Sequence, residues 1–271
     1  MKQNPLSTEQ IRAFLGDHPW ADSIQLFDEV GSTNTLAKQL GAQGAPSGTI
    51  LIADRQTGGR GRLGRSFLSP GDMGIYFSLI LRIPCKPQEL MHLTCAVGNA
   101  MCDAVEAAYG FRPGIKWIND LVVNGKKLGG ILAELALNPK TGLVDYAVIG
   151  IGINCRQVEE NFDESIRSIA CSARMVTGED VDRNLLAAEM IRALEATSHR
   201  LLTHREEILT QYRIRCITLG QYVSILRGDS VFHGTALDID EEGGLVVRLD
   251  DGEIQTVNSG EVSIRGLYGY I

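Results

Sequence analysis

The stretch that decides the fold runs from residue 121 to residue 153 and reads LVVNGKKLGGILAELALNPKTGLVDYAVIGIGI. Its first turn signal is Asn124-Gly125, the dipeptide that most strongly favours a two-residue β-hairpin, because both central residues of that turn need a positive φ. A second turn signal, from Asn138 to Gly142, separates two longer runs rich in apolar residues. The stretch therefore predicts three antiparallel β-strands joined by short turns.

Helices and further strands are predicted on both sides of these strands. Leu36, Ala37 and Leu40 recur at helical spacing, and the apolar residues from Leu90 to Val105 step by three or four positions, which predicts a long helix facing the core. The remaining predicted strands and the later helical region are 24–27, 49–53, 75–83, 115–118 and 182–212. Together these elements predict an α+β fold up to about residue 217.

After Cys216 the sequence changes character. Short β-rich runs are separated by turns such as Glu242-Gly243-Gly244, and this spacing predicts a small antiparallel β-barrel. The predicted runs are 221–226, 231–239, 245–249, 253–257 and 261–265. We therefore predict two domains, a larger α+β domain over residues 1–217 and a small C-terminal β-barrel over residues 218–271.

The composition is that of an ordinary globular protein, with 271 residues, 44% hydrophobic residues and a formal net charge of -7. A net negative charge argues against a protein that coats nucleic acid. The N-terminus is polar and the apolar runs are short, so we predict neither a signal peptide nor a membrane anchor. Six cysteines without a C-x-x-C pair predict reduced thiols in a cytoplasmic protein, and the spacing of the five histidines argues against a zinc site held by the protein.

A cationic, glycine-rich segment is the first candidate functional site. Residues 54–70 show no apolar periodicity, which predicts an irregular loop, and between positions 55 and 65 stand four arginines and four glycines without an acid. Glycines let backbone N–H groups approach a ligand closely, and guanidinium groups match phosphate or carboxylate oxygens, so this segment predicts an anionic ligand. Two alternatives stay open: a solvated loop whose arginines pair with surface acids, and a nucleic-acid-binding segment, which the lack of interleaved aromatic residues disfavours.

Lysines near a predicted hairpin form the second candidate. Lys116 precedes Trp117-Ile118-Asn119-Asp120, and the turn at Asn124-Gly125 then leads to Lys126 and Lys127. Three lysines with one nearby acid predict a second positive cluster. The alternative is an exposed hairpin whose lysines protect a sheet edge.

The third candidate is Gly31-Ser32-Thr33-Asn34, where hydroxyl groups and an amide precede a predicted helix. Such residues are typical of helix capping, which is the alternative to ligand binding. The two roles are compatible, because a free helix N-terminus also attracts carboxylates.

These segments together resemble the biotin protein ligase family. The motifs, in order, are Gly31-Ser32-Thr33-Asn34, Gln56 with Gly59-Arg60-Gly61-Arg62-x-Gly64-Arg65, Lys116-Trp117-x-Asn119-Asp120, Lys127-Leu128-x-Gly130-Ile131-Leu132 and Gly150-x-Gly152-Ile153-Asn154. The ending from Gly260 to Arg265 also resembles the family's small C-terminal domain. The resemblance implies a mixed sheet flanked by helices, like that of class II aminoacyl-tRNA synthetases, followed by a small SH3-like β-barrel.

The resemblance also implies an activity: ATP-dependent attachment of biotin to a specific lysine of a biotin carboxyl carrier protein, through a biotinyl-adenylate. Mg²⁺ would arrive with the ATP, near Asp120, rather than be bound by the protein alone. A related acyl ligase of the lipoate type and a non-catalytic biotin-binding regulator are the alternatives. A homodimer formed through the sheet edge is also open. Only about 23 residues precede the first predicted strand, which argues against an N-terminal DNA-binding domain and a repressor role.

Individual residues receive roles from the same resemblance. Lys127, Arg60 and Arg62 would be catalytic, with Lys127 at the reacting carboxylate and α-phosphate. The residues implied to bind biotin are Ser32, Thr33, Asn34, Gln56, Gly59, Arg60, Gly61, Arg62, Lys127 and Gly130. Those implied to bind the nucleotide are Arg62, Arg65, Phe67, Lys116, Asn119, Asp120, Asn154 and Arg265. Two positions depart from the family pattern, because Ile118 stands where proline is frequent and Phe67 where a tryptophan often covers the nucleotide.

Overall fold

The computed structural model describes residues 4–227 and 230–258, together with the backbone of residues 263–266. Its helices are α1 (Thr8–Leu15), α2 (Thr33–Ala42), α3 (Leu93–Tyr109), α4 (Glu164–Arg167), α5 (Ala173–Thr177), α6 (Arg183–Ser198) and α7 (Arg205–Arg215). Its strands are β1 (Ile24–Val30), β2 (Thr49–Gln56), β3 (Gly74–Leu81), β4 (Gly114–Lys116), β5 (Asp120–Val123), β6 (Lys126–Leu137), β7 (Val144–Asn154), β8 (Tyr222–Arg227), β9 (Ser230–Ile239), β10 (Leu245–Leu249), β11 (Ile254–Val257) and β12 (Ser263–Gly266).

A seven-stranded mixed sheet, in the order β1-β2-β3-β7-β6-β5-β4, forms the larger part of the fold. β1 and β2 are parallel, and the other neighbouring strands are antiparallel. Asn124 and Gly125 turn β5 into β6 with φ values of 50° and 71°, as a hairpin turn with two positive φ angles requires. The predicted α+β fold with a mixed sheet is confirmed.

Apolar residues cover both faces of this sheet, because successive side chains of a strand point to opposite sides. In β2, Ile50 and Ile52 join the larger core, in which α3 and α6 also lie. Leu51 belongs instead to a second cluster with Ala37 of α2 and Ile80 of β3. The sheet is therefore sandwiched between helices, and α2 is on the opposite face from α3.

A second, five-stranded antiparallel sheet follows α7, in the order β11-β10-β9-β8-β12. Its apolar residues, such as Val223 and Val247, belong to the same buried cluster as Ile115 of β4. Arg213 of α7 also donates to Asp238 Oδ1 at 2.9 Å. The predicted small C-terminal β-domain is confirmed and it packs directly on the larger one, while the domain boundary at residue 217 stays a prediction.

A buried arginine ties together the two ends of the segment between β2 and β3. Arg183 of α6 is fully buried, and its guanidinium donates to Asp54 Oδ1 at 2.7 Å and to Asp72 Oδ1 at 2.6 Å. The Asp72 N–H also donates to Asp54 Oδ1 at 3.1 Å. Separating buried, paired charges is costly. The glycine- and arginine-rich segment therefore leaves the sheet and returns to it at fixed points.

Two further features concern the cysteines and the lengths of the helices. All six cysteines are free and buried. Within the described ranges, no helix combines the length and the apolar character needed to cross a bilayer.

Candidate active site

The start of α2 forms one side of a cleft beside the large sheet. The helix begins at Thr33 because Ser32 has an extended backbone and caps it, with Ser32 Oγ accepting a hydrogen bond from the Thr35 N–H at 3.4 Å. Ser32, Thr33 and Asn34 are buried, and all three line the cleft. Capping and a place in the candidate site therefore coincide, as the sequence allows.

A network of hydrogen bonds fixes this side of the cleft. Gln56 Oε1 accepts from the N–H and the hydroxyl of Thr33, at 2.8 Å and 3.0 Å, while Gln56 Nε2 donates to Ser69 Oγ at 3.0 Å. The fully buried Ser78 hydroxyl on β3 lies at donating distance from both Thr33 Oγ1, at 2.8 Å, and Asn34 Oδ1, at 2.6 Å. We call Ser32, Thr33, Asn34, Gln56 and Ser78 the neutral wall, because none of these side chains carries a formal charge.

Glycines make the floor of the cleft. A Cβ atom at Gly150 would lie 2.0 Å from Asn34 Oδ1, and one at Gly152 would lie 2.5 Å from the Phe67 ring. Such distances are far inside van der Waals contact, so glycine alone lets these two side chains lie directly against β7. Apolar residues complete the lining, namely Phe77, Ile131, Leu132 and Ile151.

The segment between Gly58 and Arg65 is more ordered than the sequence predicts. Arg60 and Ser66 form a β-bridge, and the Gly61 N–H donates to the Arg65 carbonyl at 2.7 Å. The segment, which we call the Arg/Gly loop, is thus a small hairpin instead of an irregular loop. It brings arginines at positions 60, 62 and 65 to the cleft.

Arg62 connects the Arg/Gly loop to the far side of the cleft. Its Nη1 donates to Asn119 Oδ1 at 2.9 Å, and Asn119 Nδ2 donates to the Ile131 carbonyl at 3.0 Å. Burial lowers the pKa of the Arg62 guanidinium below its ordinary value, and the negative charge of Asp120 opposes that shift. Because arginine stays protonated in proteins, Arg62 places a positive charge inside the cleft.

Charged residues form the second side of the cleft. Lys127 Nζ donates to Asp120 Oδ1 at 2.6 Å, and the two side chains are only 28% and 17% exposed. The Lys127 backbone is also held by a distant segment, since its N–H donates to the Ile169 carbonyl at 2.7 Å and its carbonyl accepts from the Cys171 N–H at 2.8 Å. We call this side, formed by Lys116, Asn119, Asp120 and Lys127, the charged wall.

One cleft of about 440 Å³ brings the two walls and the Arg/Gly loop together. Its lining among the described residues includes five cationic side chains and one carboxylate, Asp120, although the protein carries a net charge of -7. The predicted site residues that line it are Ser32, Thr33, Asn34, Gln56, Arg60, Gly61, Arg62, Arg65, Phe67, Lys116, Asn119, Asp120, Lys127 and Gly130. The cationic segments that are separate in the sequence thus meet in one place.

Two predicted site residues lie beside the cleft and have structural roles there. A Cβ atom at Gly59 would lie 2.3 Å from the Phe67 carbonyl oxygen, so the loop hairpin requires a glycine. Asn154 is buried, and its Nδ2 donates to the Cys171 carbonyl at 3.0 Å, which holds the segment that contacts Lys127. Ligand binding by either residue stays a prediction. The Arg265 side chain lies outside the described residues.

Sequence reasoning assigned no site role to several residues of this region. Among them, Trp117 and Ile169 line the cleft, and Ser78 bonds Thr33 and Asn34. A sequence signal could have identified Ser78, because it is the one small hydroxyl residue in the otherwise apolar run of β3. Ile169 had none, since it belongs to no motif and reaches the cleft from a distant part of the chain. The Trp117–Ile118 peptide bond is cis.

Comparisons with known proteins agree with this architecture. A sequence model of the biotin/lipoate A/B protein ligase family matches residues 26–154, and a model of the biotin protein ligase C-terminal domain matches residues 218–265. The chain is 33% identical over 265 residues to the biotin–[acetyl-CoA-carboxylase] ligase of Mycobacterium tuberculosis, an alignment that covers 95% of each protein. The chain belongs to the biotin protein ligase family.

Alignments with further members of the biotin protein ligase family cover most of the chain. The bifunctional ligase/repressor BirA of Bacillus spizizenii is 33% identical over 264 residues, which covers 97% of this chain and 80% of that protein. The structure of the biotin protein ligase from Aquifex aeolicus in complex with biotin and ATP superposes with a TM-score of 0.76 at 31% identity, covering 90% of this chain and 98% of that one. The fold of this biotin protein ligase family member is therefore that of its relatives.

The donor groups of this family member limit the metal sites that the protein alone can form. Across the described part of the chain, no group of three or more His, Cys, Asp or Glu side chains is placed to hold a metal ion. Asp120 lines the cleft, and its Oδ1 already accepts from Lys127. A divalent cation in this cleft would need further oxygen ligands, and nucleotide phosphates are the usual source.

Proposed function

We propose that this protein is a biotin–[biotin carboxyl-carrier protein] ligase, which activates biotin with ATP and transfers it to a lysine of a carrier protein. Family membership supports the proposal. The observation that carries it is the meeting of the Arg/Gly loop and Lys127 in the same cleft. A ligase of this kind has to hold two anionic substrates together, and this cleft has the charge to do so.

The two steps of the reaction make different demands on the cleft. In the first, a biotin carboxylate oxygen attacks the α-phosphorus of ATP, and pyrophosphate leaves with the electron pair of the broken P–O bond. In the second, the neutral carrier lysine amine attacks the carbonyl of the mixed anhydride, the C–O bond to AMP breaks, and AMP leaves with its electron pair. The new amide nitrogen releases a proton to solvent. Positive groups aimed at the phosphate oxygens offset the charge that builds up in the first step, and exclusion of water protects the anhydride before the second.

Lys127, Arg60 and Arg62 are the catalytic residues of this proposal. Lys127 Nζ is fixed by Asp120 at 2.6 Å, so its ammonium group is in position before the substrates bind. It would contact the reacting carboxylate and the α-phosphate. Arg60 and Arg62 would neutralise the biotin carboxylate and the phosphates from the Arg/Gly loop, which lines the same cleft. A loop that carries these charges can also exclude water while the anhydride exists.

The neutral wall fits the ureido ring of biotin. That ring is uncharged and offers one carbonyl acceptor and two N–H donors, which hydroxyl and amide side chains can match. Ser32, Thr33 and Gln56 would make these contacts, with Asn34 supporting them. Gly130 would lie against the ligand near Lys127. A Cβ atom at Gly130 would lie 3.4 Å from Lys127 Nζ, so a larger residue there would narrow the cleft.

The charged wall fits the nucleotide. Lys116, Asn119 and Asp120 would serve the ATP and its Mg²⁺, with the metal held mainly by the phosphates and Asp120 close to it. Arg65 and Phe67 line the same cleft and would contact the phosphates and the adenine. Asn154 and Arg265 are the remaining residues that we propose to bind the nucleotide.

Biotin-dependent exchange of labelled pyrophosphate into ATP tests the first step directly. We expect exchange with biotin and Mg²⁺, and none when either is omitted. Exchange that requires lipoate instead of biotin would identify a lipoate-type ligase. Tight biotin binding without any exchange would identify a non-catalytic biotin-binding protein and overturn the proposal.

Transfer to a carrier tests the second step. We expect a biotin carboxyl carrier domain to gain one biotin when it is added to the enzyme with biotin and ATP, as measured by intact mass. A carrier whose acceptor lysine is replaced by arginine is the control and should gain none.

We place the reaction in the cytoplasm, because six free, buried cysteines suit a reducing compartment.

A further inference from the structure

Trp117 belongs to the cleft and also touches the C-terminal sheet. It is 5% exposed, it lines the cleft, and its Nε1–H donates to the Gly243 carbonyl at 3.0 Å. Its backbone N–H donates to Thr218 Oγ1 at 2.9 Å. Trp117 therefore bonds the cleft to the part of the chain that follows α7.

The turn that receives the Trp117 hydrogen bond is rigid. Asp240 Oδ1 accepts from the N–H groups of Glu242, at 2.9 Å, and Gly244, at 2.7 Å. Gly243 has a φ of 88°, and a Cβ atom there would lie 3.0 Å from Cys95 Sγ of α3. The Gly243 carbonyl thus has a fixed direction, set by the turn itself and by close packing on α3.

The residues next to Trp117 carry the charged wall. Asn119, two positions along, accepts from Arg62 at 2.9 Å, and Asp120 accepts from Lys127 at 2.6 Å. The Ile118 carbonyl accepts from the buried Tyr212 hydroxyl at 3.2 Å. Displacement of the Trp117 ring would move the backbone that sets these partners. The neutral wall, by contrast, is formed by α2, β2 and β3 and makes no such bond to Trp117 in the described residues.

We infer that Trp117 is a positioning residue through which the turn Asp240–Gly244 of the C-terminal domain holds the charged wall in its nucleotide-binding geometry. The inference rests on the proposed function and adds a second role for the C-terminal domain, separate from any contact that Arg265 makes with ATP. It assigns the effect mainly to ATP, because Trp117 lies within the segment 116–120, whose Lys116, Asn119 and Asp120 are the residues proposed to serve the nucleotide.

A matched pair of variants separates this role from general docking of the two domains. Trp117→Phe removes the Nε1–H and keeps an aromatic ring in the space. Arg213→Met removes a different bond between the domains, since Arg213 donates to Asp238 Oδ1 at 2.9 Å and to the Ile239 carbonyl at 3.0 Å without lining the cleft. Trp20→Phe controls for the loss of a tryptophan, because Trp20 and Trp117 are the two in the chain.

The variants are compared by KM values in pyrophosphate exchange, by calorimetric binding of ATP and biotin, and by thermal unfolding. For Trp117→Phe we expect the KM and the Kd for ATP to rise about tenfold, as loss of a buried hydrogen bond that leaves a carbonyl unsatisfied predicts. The Kd for biotin should stay within about twofold. Arg213→Met should lower the unfolding temperature at least as much as Trp117→Phe, with ATP binding little changed, and Trp20→Phe should leave both substrates unaffected.

Two outcomes would overturn the inference. Unchanged ATP binding in Trp117→Phe would mean that its hydrogen bond does not position the charged wall. An equal loss of ATP binding in Arg213→Met would mean that any loosening of the two domains has the same effect. Failure of the wild-type protein to exchange pyrophosphate would instead defeat the proposed function, and the calorimetric comparison of ATP binding would still decide the role of Trp117.

Discussion

The two walls of the cleft are held in place by different chemistry. In the neutral wall, hydroxyl and amide groups bond to one another, as Thr33 Oγ1 does with Gln56 Oε1 at 3.0 Å. In the charged wall, an ion pair orients the side chains instead, with Lys127 Nζ 2.6 Å from Asp120 Oδ1. A network of neutral groups keeps its orientation when a neutral ligand replaces water. An ion pair can exchange one partner for an incoming anion with little loss of charge pairing.

This difference predicts which part of each substrate the walls bind. The uncharged ureido ring matches the neutral wall, and the carboxylate and phosphates match the charged wall and the Arg/Gly loop. A substitution in the neutral wall should then affect biotin and spare ATP, whereas one in the charged wall should act mainly on ATP and on the reaction of the biotin carboxylate. The predictions below use that separation, beginning with the largest expected effect.

Replacing Lys127 should have the largest effect. Lys127→Met keeps the length of the side chain and removes the ammonium group that would meet the carboxylate and the α-phosphate. We expect kcat/KM for pyrophosphate exchange to fall at least about a hundredfold, the usual cost of losing one donor aimed at a transition-state oxyanion. Biotin binding measured by calorimetry should change far less.

The neighbouring lysine supplies the control for this prediction. Lys126 adjoins Lys127 on β6 but does not line the cleft. Lys126→Met removes the same charge and should retain exchange within about twofold, because Lys126 lies outside the cleft and contacts neither substrate in the proposal. Equal activity of the two variants would remove Lys127 from the reaction, and equal loss would point to the net charge of the hairpin.

The Arg/Gly loop joins the two walls, and breaking that link should release the intermediate. Arg62→Ala removes the hydrogen bond from Arg62 Nη1 to Asn119 Oδ1 at 2.9 Å. A hydrogen bond to a charged group contributes about 1.5–3 kcal/mol, so we expect bound biotinyl-adenylate to be lost about thirtyfold faster. The measurement is the decay of labelled adenylate on the enzyme after dilution into unlabelled biotin.

An arginine at the start of the same segment is the control for Arg62. Arg55 pairs with Glu29 at 3.0 Å on the surface, where the side chains are 58% and 52% exposed. Arg55→Ala should leave adenylate release unchanged, since exposed ion pairs are weak. If Arg62→Ala also retains the adenylate as well as the wild type does, the loop does not close the cleft through Asn119.

The neutral wall should show a smaller effect that is specific to biotin. Thr33→Val keeps the shape of the side chain and removes the hydroxyl that donates to Gln56 Oε1 at 3.0 Å. We expect the Kd for biotin to rise about tenfold, because the ureido ring loses a hydroxyl partner and Gln56 Oε1 keeps only the Thr33 N–H as its donor. The KM for ATP should stay within about twofold.

A second threonine of the same helix provides the comparison for Thr33. Thr35 is also in the first turn of α2 and does not line the cleft. Thr35→Val should bind both substrates normally. A Thr33→Val protein that loses ATP binding as much as biotin binding would contradict the division between the walls.

Sequence reasoning predicted the parts of the fold that local chemistry determines. The turn at Asn124-Gly125 needs only those two residues to adopt a positive φ, and both do. The β-rich runs after Cys216 likewise end at turns that their own glycines and acids form. Signals of this kind are complete within a few residues, so they can be read without the rest of the chain.

Contacts between distant segments were not predictable in the same way. The backbone of Lys127 is held by Ile169 and Cys171, which belong to no motif. Arg183 fastens both ends of the longer segment that contains the Arg/Gly loop, at Asp54 and Asp72, from a helix more than a hundred residues later in the chain. The Arg60–Ser66 bridge within the loop is local, but no apolar periodicity marks it, so the sequence predicted an irregular segment.

The candidate site shows the same contrast within one network. Thr33 and Gln56 belong to motifs, and resemblance to a family was enough to place them together. Ser78 belongs to no motif. Its role can be recognised only when α2 packs on the sheet, because this packing brings Thr33 Oγ1 to 2.8 Å from Ser78 Oγ. Its hydroxyl is fully buried, so we expect it to act on biotin indirectly, through Thr33 and Asn34.

Replacing Ser78 should have the smallest effect and the most informative one. Ser78→Ala removes the hydroxyl that lies at hydrogen-bond distance from both Thr33 Oγ1 and Asn34 Oδ1, and we expect the Kd for biotin to rise about threefold, with ATP unaffected. Ser198→Ala is the control, because its hydroxyl donates to the Glu195 carbonyl at 2.7 Å near the end of α6, outside the cleft.

The double variant Ser78→Ala/Thr33→Val decides whether Ser78 acts through Thr33. Residues of one hydrogen-bond network do not contribute independently, so the double variant should bind biotin about as weakly as Thr33→Val alone. Multiplication of the two separate effects would show that Ser78 acts by another route, such as Asn34. A larger effect on ATP than on biotin would mean that the hydrogen bonds of the neutral wall also govern the charged wall, and the two walls would no longer be separate.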